Sequence, residues 1–171
     1  MAQEKFLIDA NVFITPYRQY YPFDLAPSFW ERLEELIKDG TIVVMDMVKA
    51  EILQGTDDLS TWMDSLEIGD LLDRRQPEII AKYTEVLTHL QTSPCYQEAA
   101  LHEWSRATVA DPWLIAAAAA KGYTIITLET SNKNLSPTNP VKRPKIPDVA
   151  RALGVDAQNL FYLMRKLNFR L

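Results

Sequence analysis

Four acidic residues stand at the edges of apolar runs, where side chains often carry chemistry. Asp9 and Glu129 each follow such a run, Glu51 lies shortly after another, and Asp111 directly precedes a proline. Carboxylate oxygens are the donors that hard divalent cations such as Mg²⁺ and Mn²⁺ prefer. Such ions lower the pKa of a bound water and stabilise the attacking and leaving oxygens of a phosphodiester. These residue types therefore favour metal-dependent hydrolysis.

Other metal chemistries find little support in the composition. His89 and His102 are the only histidines and Cys95 is the only cysteine, so a zinc cluster or a histidine-based nuclease is not expected. A single cysteine also allows no disulfide within the chain, which fits a reducing compartment.

Each of the four acids also has a purely structural interpretation. Asp9 could cap a turn, but a charge that ends an apolar strand is costly to bury, which favours function. For Glu51, an ordinary solvated glutamate is nearly as consistent with the sequence as a functional one. Asp111 has a complete explanation as the N-cap of a helix, and Glu129 is the weakest candidate alone. Only the combination of the four favours a site.

The apolar periodicity predicts elements that would position these acids. The sequence predicts an α/β fold with a mainly parallel central sheet, helices on both faces and a helical insert, as one domain over residues 1–171. Parallel sheets bind ligands at the carboxyl ends of their strands, so we expect the four acids to converge there, with the carboxylates of Asp9 and Asp111 within about 10 Å. The predicted strands cover residues 6–8, 41–45 and 123–128. The predicted helices cover residues 26–38, 46–54, 111–120 and 146–153, with several more in 59–106, a helix or strand in 159–167 and a loop in 131–145. Asp46 is the predicted N-cap of the helix over 46–54.

Charge is distributed unevenly along the chain. The net charge is −5, yet residues 142–170 carry an excess of five positive charges and the first 141 residues an excess of ten negative charges. A basic end beside an acidic body is one arrangement for holding phosphates, although an ordinary solvated surface has the same composition. No apolar run approaches the roughly 20 residues of a membrane span, and the sequence begins without a signal-peptide pattern, so we expect a cytoplasmic protein with no membrane partner.

Four short motifs surround the candidate acids. They are Phe-Leu-Ile-Asp-Ala-Asn-Val-Phe-Ile at 6–14, Val-Lys-Ala-Glu-Ile at 48–52, Ala-Asp-Pro-Trp-Leu-Ile-Ala-Ala-Ala at 110–118 and Ile-Ile-Thr-Leu-Glu at 125–129. In this order they resemble the motifs of the PIN-domain nucleases, a superfamily that includes the VapC-type toxins of bacterial toxin–antitoxin pairs. The later Lys-Ile-Pro at 145–147 looks like an uncharacterised PIN-like branch.

The resemblance implies a Mg²⁺- or Mn²⁺-dependent endoribonuclease. Asp9, Glu51 and Asp111 match the metal-binding acids of the family, and Asn11 matches its frequent asparagine two positions after the first acid. Thr127 matches the hydroxyl residue that helps to hold the site. Where Glu129 stands the family more often has aspartate, and the longer side chain makes contact with the metal through a water plausible. The implied partners are RNA, an antitoxin protein and a second copy of the chain in a homodimer. With RNA as the ligand, the positive excess of residues 142–170 predicts that this segment helps to hold the RNA backbone.

Two other functions are consistent with the same residues. A haloacid-dehalogenase-type phosphatase also opens with an apolar strand and Asp-x-Asp, but Asn11 at the second position cannot act as the general acid. The stronger alternative is a non-catalytic PIN-like protein that keeps the fold and acts by binding a partner. Binding of Mn²⁺ would separate the nuclease from this alternative, because a pure interaction protein does not need the ion.

Overall fold

A computed structural model describes residues 2–171 and contains a five-stranded parallel sheet with the strand order β3-β2-β1-β4-β5. Phe6 and Leu7 of β1 pair with Ile42 and Val43 of β2, and Val44 of β2 pairs with Leu71 of β3. Every residue of β1, β2 and β4 is buried, which explains why these strands are continuous apolar runs. The strands are β1 Phe6–Ile8, β2 Ile42–Met45, β3 Leu71–Leu72, β4 Thr124–Ile126 and β5 Ala157–Gln158.

Nine α-helices flank the sheet within residues 2–171, and a π-helical turn, Pro16–Tyr20, continues the first of them. The predicted α/β class with a parallel central sheet is therefore confirmed. The helices are α1 Asn11–Thr15, α2 Pro27–Lys38, α3 Asp46–Leu53, α4 Asp58–Ser65, α5 Pro77–Thr92, α6 Glu98–Trp104, α7 Asp111–Lys121, α8 Ile146–Ala152 and α9 Leu160–Lys166.

The chain forms two compact units. The first unit contains the described residues up to Asp73 together with Ile126–Leu128 and Gln158–Leu171, and the second contains Arg74–Ile125 and Glu129–Ala157. The expectation of one domain over residues 1–171 stays a prediction.

Aromatic side chains form much of the core of the first unit. The ring of Trp30 on α2 lies 4.5 Å from that of Phe23 and 5.0 Å from that of Trp62 on α4. The Trp30 indole also donates a hydrogen bond to the carbonyl oxygen of Tyr21 at 2.6 Å. Such ring pairs add stability beyond the area that they bury. Most aromatic residues of the loop before α2 are therefore used in holding that loop on the helix.

The core of the second unit is formed by the contact between α5 and α7. Ile79 and Val86 of α5 and Leu114 and Ala118 of α7 are buried, at spacings that place them on one face of each helix. Helix α7 ends at Gly122, whose φ of +73° is a conformation that favours glycine. This helix carries Asp111 at its first position.

Two predicted helix caps are wrong by one residue. Met45 is the N-cap of α3, and Asp46 is already helical, with its carboxylate accepting a hydrogen bond from the amide of Met47 at 2.9 Å. Ala110 is the N-cap of α7, with φ −78° and ψ −26°, and Asp111 is the first helical residue. The structural explanation of Asp111 as an N-cap therefore does not apply, although a carboxylate in the first turn still interacts favourably with the helix dipole.

The strand predictions also needed correction. β4 covers three residues, fewer than the six predicted, so Glu129 lies three positions beyond its end. The short strands β3 and β5 were not predicted at all. The ambiguous segment 159–167 contains the helix α9, capped by the side chain of Asn159, which accepts a hydrogen bond from the amide of Tyr162. None of the helices in residues 2–171 has the length and apolar character needed to cross a bilayer.

Candidate active site

The carboxylate of Asp9 is held at the carboxyl end of β1. Only 5% of the residue is exposed, and its backbone amide donates a hydrogen bond to the carbonyl oxygen of Ile126 at 3.0 Å. The buried hydroxyl of Thr127 donates to Oδ2 of Asp9 at 2.9 Å. Since β1 and β4 are neighbours in the sheet, residues 118 positions apart in the chain meet at this edge. The hydroxyl fixes the orientation of one carboxylate oxygen.

Two further candidates lie on helices of the same unit. Asn11 is exposed at the first position of α1, and Glu51 is on α3. Although the residue Glu51 as a whole is exposed, the protein around its carboxyl group displaces water and raises the pKa of that group above its usual value. A carboxyl group in such surroundings gains from a nearby cation.

Asp111 and Glu129 line a cleft in the second unit, with a volume of about 440 Å³. Asp111 enters it from the start of α7. Glu129 is fixed there because its Oε2 accepts a hydrogen bond from the amide of Ile146, the first residue of α8, at 2.7 Å. The carboxylate of Glu129 thus also satisfies a backbone amide at a helix start, which has no partner within its own helix.

Three basic side chains line the same cleft. Lys142, Arg143 and Lys145 lie beside Asp111 and Glu129. The sequence indicated a basic C-terminal region but did not place it against these acids, because the path of the loop from 131 to 145 has no periodicity to reveal it. Glu103 also lines the cleft and was not a candidate; it forms an ion pair with Arg106 at 2.9 Å.

The carboxylate oxygens of Asp9, Glu51, Asp111 and Glu129 are ligands that suit a hard divalent cation. Within residues 2–171 there is no group of three or more histidine, cysteine or acidic side chains arranged to hold a metal ion. Magnesium is usually held by one or two carboxylates and completes its shell with water and substrate phosphates. Asp9, with its bound hydroxyl, fits that mode of binding better than an all-protein cage. Asp9 and Thr127 share a hydrogen bond, and Asp111 and Glu129 line the same cleft. The convergence of all four acids stays a prediction.

A solved structure supports a PIN-like fold. The chain is similar to the crystal structure of VapBC2 from Rickettsia felis bound to a DNA fragment from their promoter, with 17% identity and a TM-score of 0.51. The match covers 90% of this chain and 97% of that chain. At this identity the likeness concerns the fold alone.

Comparison by sequence gives a family without a described activity. No curated protein matches the sequence significantly. The family model of DUF4411, a domain of unknown function, matches residues 6–171, which is nearly the whole chain. The chain therefore belongs to the DUF4411 family.

Proposed function

We propose that this chain is a metal-dependent endoribonuclease of the PIN type, which hydrolyses phosphodiester bonds of RNA with Mg²⁺ or Mn²⁺. The observation that carries the proposal is the buried carboxylate of Asp9, oriented by Thr127 at the carboxyl end of a parallel strand. Ligands of such sheets bind at this edge. Carboxylates that bind metals are themselves commonly oriented by a hydrogen bond, as Thr127 orients Asp9.

The acids have separate roles in the proposed reaction. Asp9, Glu51 and Asp111 would hold the cation, which would supply an activated water and stabilise developing negative charge. Thr127 keeps the Asp9 carboxylate in one orientation, and Asn11 offers an amide close in sequence to Asp9. Glu129 would contact the ion through a water. The positions of Asp9 and Asp111 at a strand end and a helix start support these roles.

Replacement of Asp9 by asparagine tests the proposal. Asp9→Asn keeps the size of the side chain and a carbonyl oxygen but removes the charge that holds the ion, so RNA cleavage with Mn²⁺ should fall by at least two orders of magnitude. The fold should persist. The matched control is Asp24→Asn, which changes an exposed aspartate of the same unit. EDTA should abolish cleavage by the parent protein. Cleavage by Asp9→Asn at the parent rate would refute the metal-binding role of Asp9.

We propose that the chain acts as the toxin of a toxin–antitoxin pair. Its support is the similarity to the VapBC2 complex, and the partners would be an antitoxin protein and a second copy of this chain. Co-purification with the product of a neighbouring small gene tests the first partner, and light scattering of the purified chain tests the homodimer.

A non-catalytic PIN-like interaction protein is the second candidate. The hydrogen bond from Ile146 to Glu129 favours it, because this acid has a structural use that requires no metal. The two candidates make opposite predictions for total RNA incubated with the purified protein and Mn²⁺, since only the nuclease shortens the RNA.

A further inference from the structure

Residues 142–145, here called the basic segment, form one side of the cleft that contains Asp111 and Glu129. Lys142 and Arg143 are exposed, and Lys145 is partly exposed. Within residues 2–171 none of these three side chains forms an ion pair, in contrast to Lys121 and Arg106 in the same unit. Their positive charges are therefore available to a ligand.

The basic segment is held at both of its ends. Before it, the backbone of Val141 accepts a hydrogen bond from the amide of Gln97 and donates one to the carbonyl oxygen of Cys95, both at 2.9 Å. After it, the amide of Ile146 donates to Glu129 at 2.7 Å. Pro144, within the segment, is buried. Because its backbone is already fixed, the segment loses little backbone entropy when it binds a ligand, and less of the electrostatic attraction is offset by ordering.

The charges facing this cleft select the class of ligand. A single small anion would be repelled by the carboxylates of Asp111 and Glu129, whereas a chain of linked phosphates can follow the basic side and keep its charges apart. A groove of positive charge that follows the backbone is the usual way in which proteins hold single-stranded nucleic acid. Arginine adds a planar pair of donors that matches a phosphate.

We propose that the basic segment is a binding site for the phosphodiester backbone of single-stranded RNA and that Glu129 is the residue that positions it. The assignment of RNA as the ligand rests on the proposed function. Glu129 acts by accepting the hydrogen bond of Ile146, which sets the direction in which the chain leaves the segment. Lys142 and Arg143 contact phosphates directly.

The site is tested by measuring how tightly the full chain binds a labelled single-stranded RNA of about 12 nucleotides. The affinity is measured at several salt concentrations, with EDTA present. Each phosphate contact to a single strand contributes about 0.7 to the slope of log affinity against log salt. Lys142→Ala/Arg143→Ala should therefore lower the slope by about 1.4 and the affinity roughly ten- to thirtyfold at 0.1 M salt. The matched control is Lys82→Ala/Lys133→Ala, which removes two positive charges from the same unit outside the cleft.

The proposal is overturned if the two double variants have equal slopes, or if the parent protein shows no salt-dependent binding at low salt. The binding assay does not depend on cleavage. A protein that binds RNA through the basic segment but does not cleave it in a separate assay would support this site and refute only the nuclease. Unchanged KM of Lys142→Ala/Arg143→Ala in a working cleavage assay would refute only this site.

A pair of substitutions tests the positioning role of Glu129. Glu129→Gln keeps an oxygen that can accept the hydrogen bond of Ile146, whereas Glu129→Ala removes it. We expect Glu129→Gln to bind RNA with an affinity like that of the parent protein. We expect Glu129→Ala to lose nearly as much RNA affinity as Lys142→Ala/Arg143→Ala. Loss of the negative charge would by itself strengthen binding to a polyanion, so equal weakening in both variants would show that acceptance of the Ile146 hydrogen bond is not what matters and would overturn the positioning role. Melting curves verify that both variants fold.

Discussion

At the scale of single residues, the contact between Thr127 and Asp9 explains how one sheet edge can hold a defined carboxylate. The two residues each follow a buried strand, and the strands are neighbours. A carboxylate that rotates freely can present either oxygen to a ligand, whereas this one has Oδ2 fixed by a donor. Substitutions at Thr127 can therefore alter the proposed catalysis without removing any acid.

We predict that Thr127→Val lowers cleavage activity and stability together. Valine matches threonine in shape but removes the donor to Asp9 Oδ2, and loss of one partner of a buried hydrogen bond costs about 1–3 kcal/mol. Thr127→Ser keeps the hydroxyl and should recover most of the rate of cleavage. The measurements are kcat with Mn²⁺ and the free energy of unfolding in urea. Equal rates for the valine and serine variants would show that the hydroxyl does not position Asp9.

At the scale of elements, long apolar runs were predicted well and their ends were not. β1, β2, α2 and α7 follow from burial patterns that the sequence displays directly. β3 and β5 have two residues each, too few for any periodicity, and they are strands only because neighbouring strands pair with them. The caps at Asp46 and Asp111 were misplaced because an N-cap is defined by the backbone angles of that residue, which composition does not give.

Helix α7 offers a test of how its end is stabilised. Gly122 has a φ of +73°, and a Cβ added there meets no atom within 4 Å. Gly122→Ala should therefore destabilise the protein by about 1 kcal/mol for conformational reasons alone. Gly122→Asn should cost less, since asparagine tolerates this conformation better. Midpoints of urea unfolding measure both. An alanine variant as stable as the parent would contradict the assignment.

At the scale of the whole molecule, the distribution of acids and bases along the chain predicted only part of the candidate site. The positive excess after residue 141 indicated phosphate contacts, and three of its bases line the cleft of Asp111. Arg165 and Arg170 instead border another surface pocket, in the first unit. The charge distribution along the sequence cannot show which of these bases line the cleft and which lie elsewhere, because that depends on the path of the loop from 131 to 145. The bond between Glu129 and Ile146 was unpredictable for the same reason.

Tyr96 makes the stability of the molecule depend on pH in alkaline solution. Burial, followed by the negative charges of Asp148 and Cys95, raises the pKa of Tyr96 to about 12. An unfolded tyrosine titrates near pH 10. The folded state thus keeps a proton that the unfolded state has lost, and stability falls as the pH rises from about 10 to about 12.

We expect Tyr96→Phe to reduce this loss by up to roughly 2–3 kcal/mol, the equivalent of two pKa units. The measurement is the free energy of unfolding in urea at pH values on either side of about 10. Tyr20→Phe is the control for removal of a phenol, because Tyr20 is 60% exposed. A variant that loses stability as steeply as the parent would show that another group is responsible.

Binding of the proposed cation should stabilise the folded chain as a whole. A ligand that binds only the folded state adds about 2.7 kcal/mol when its concentration is a hundred times its Kd. For a chain of 171 residues each kcal/mol raises Tm by about 2–4 °C, so saturating Mn²⁺ should raise Tm by roughly 5–10 °C. Without metal, Asp9→Asn should melt at the same temperature as the parent or higher, because it removes a buried negative charge.

Mn²⁺ should then separate the variants. Asp9→Asn should lose most of the rise in Tm, whereas Asp24→Asn, on an exposed residue, should keep it. The result depends on binding alone, so it also distinguishes a metal-binding protein that has lost catalysis from one that never held the ion. An equal rise in Tm for the parent and Asp9→Asn would place the cation elsewhere, and the role proposed for the end of β1 would fail even if the protein cleaved RNA.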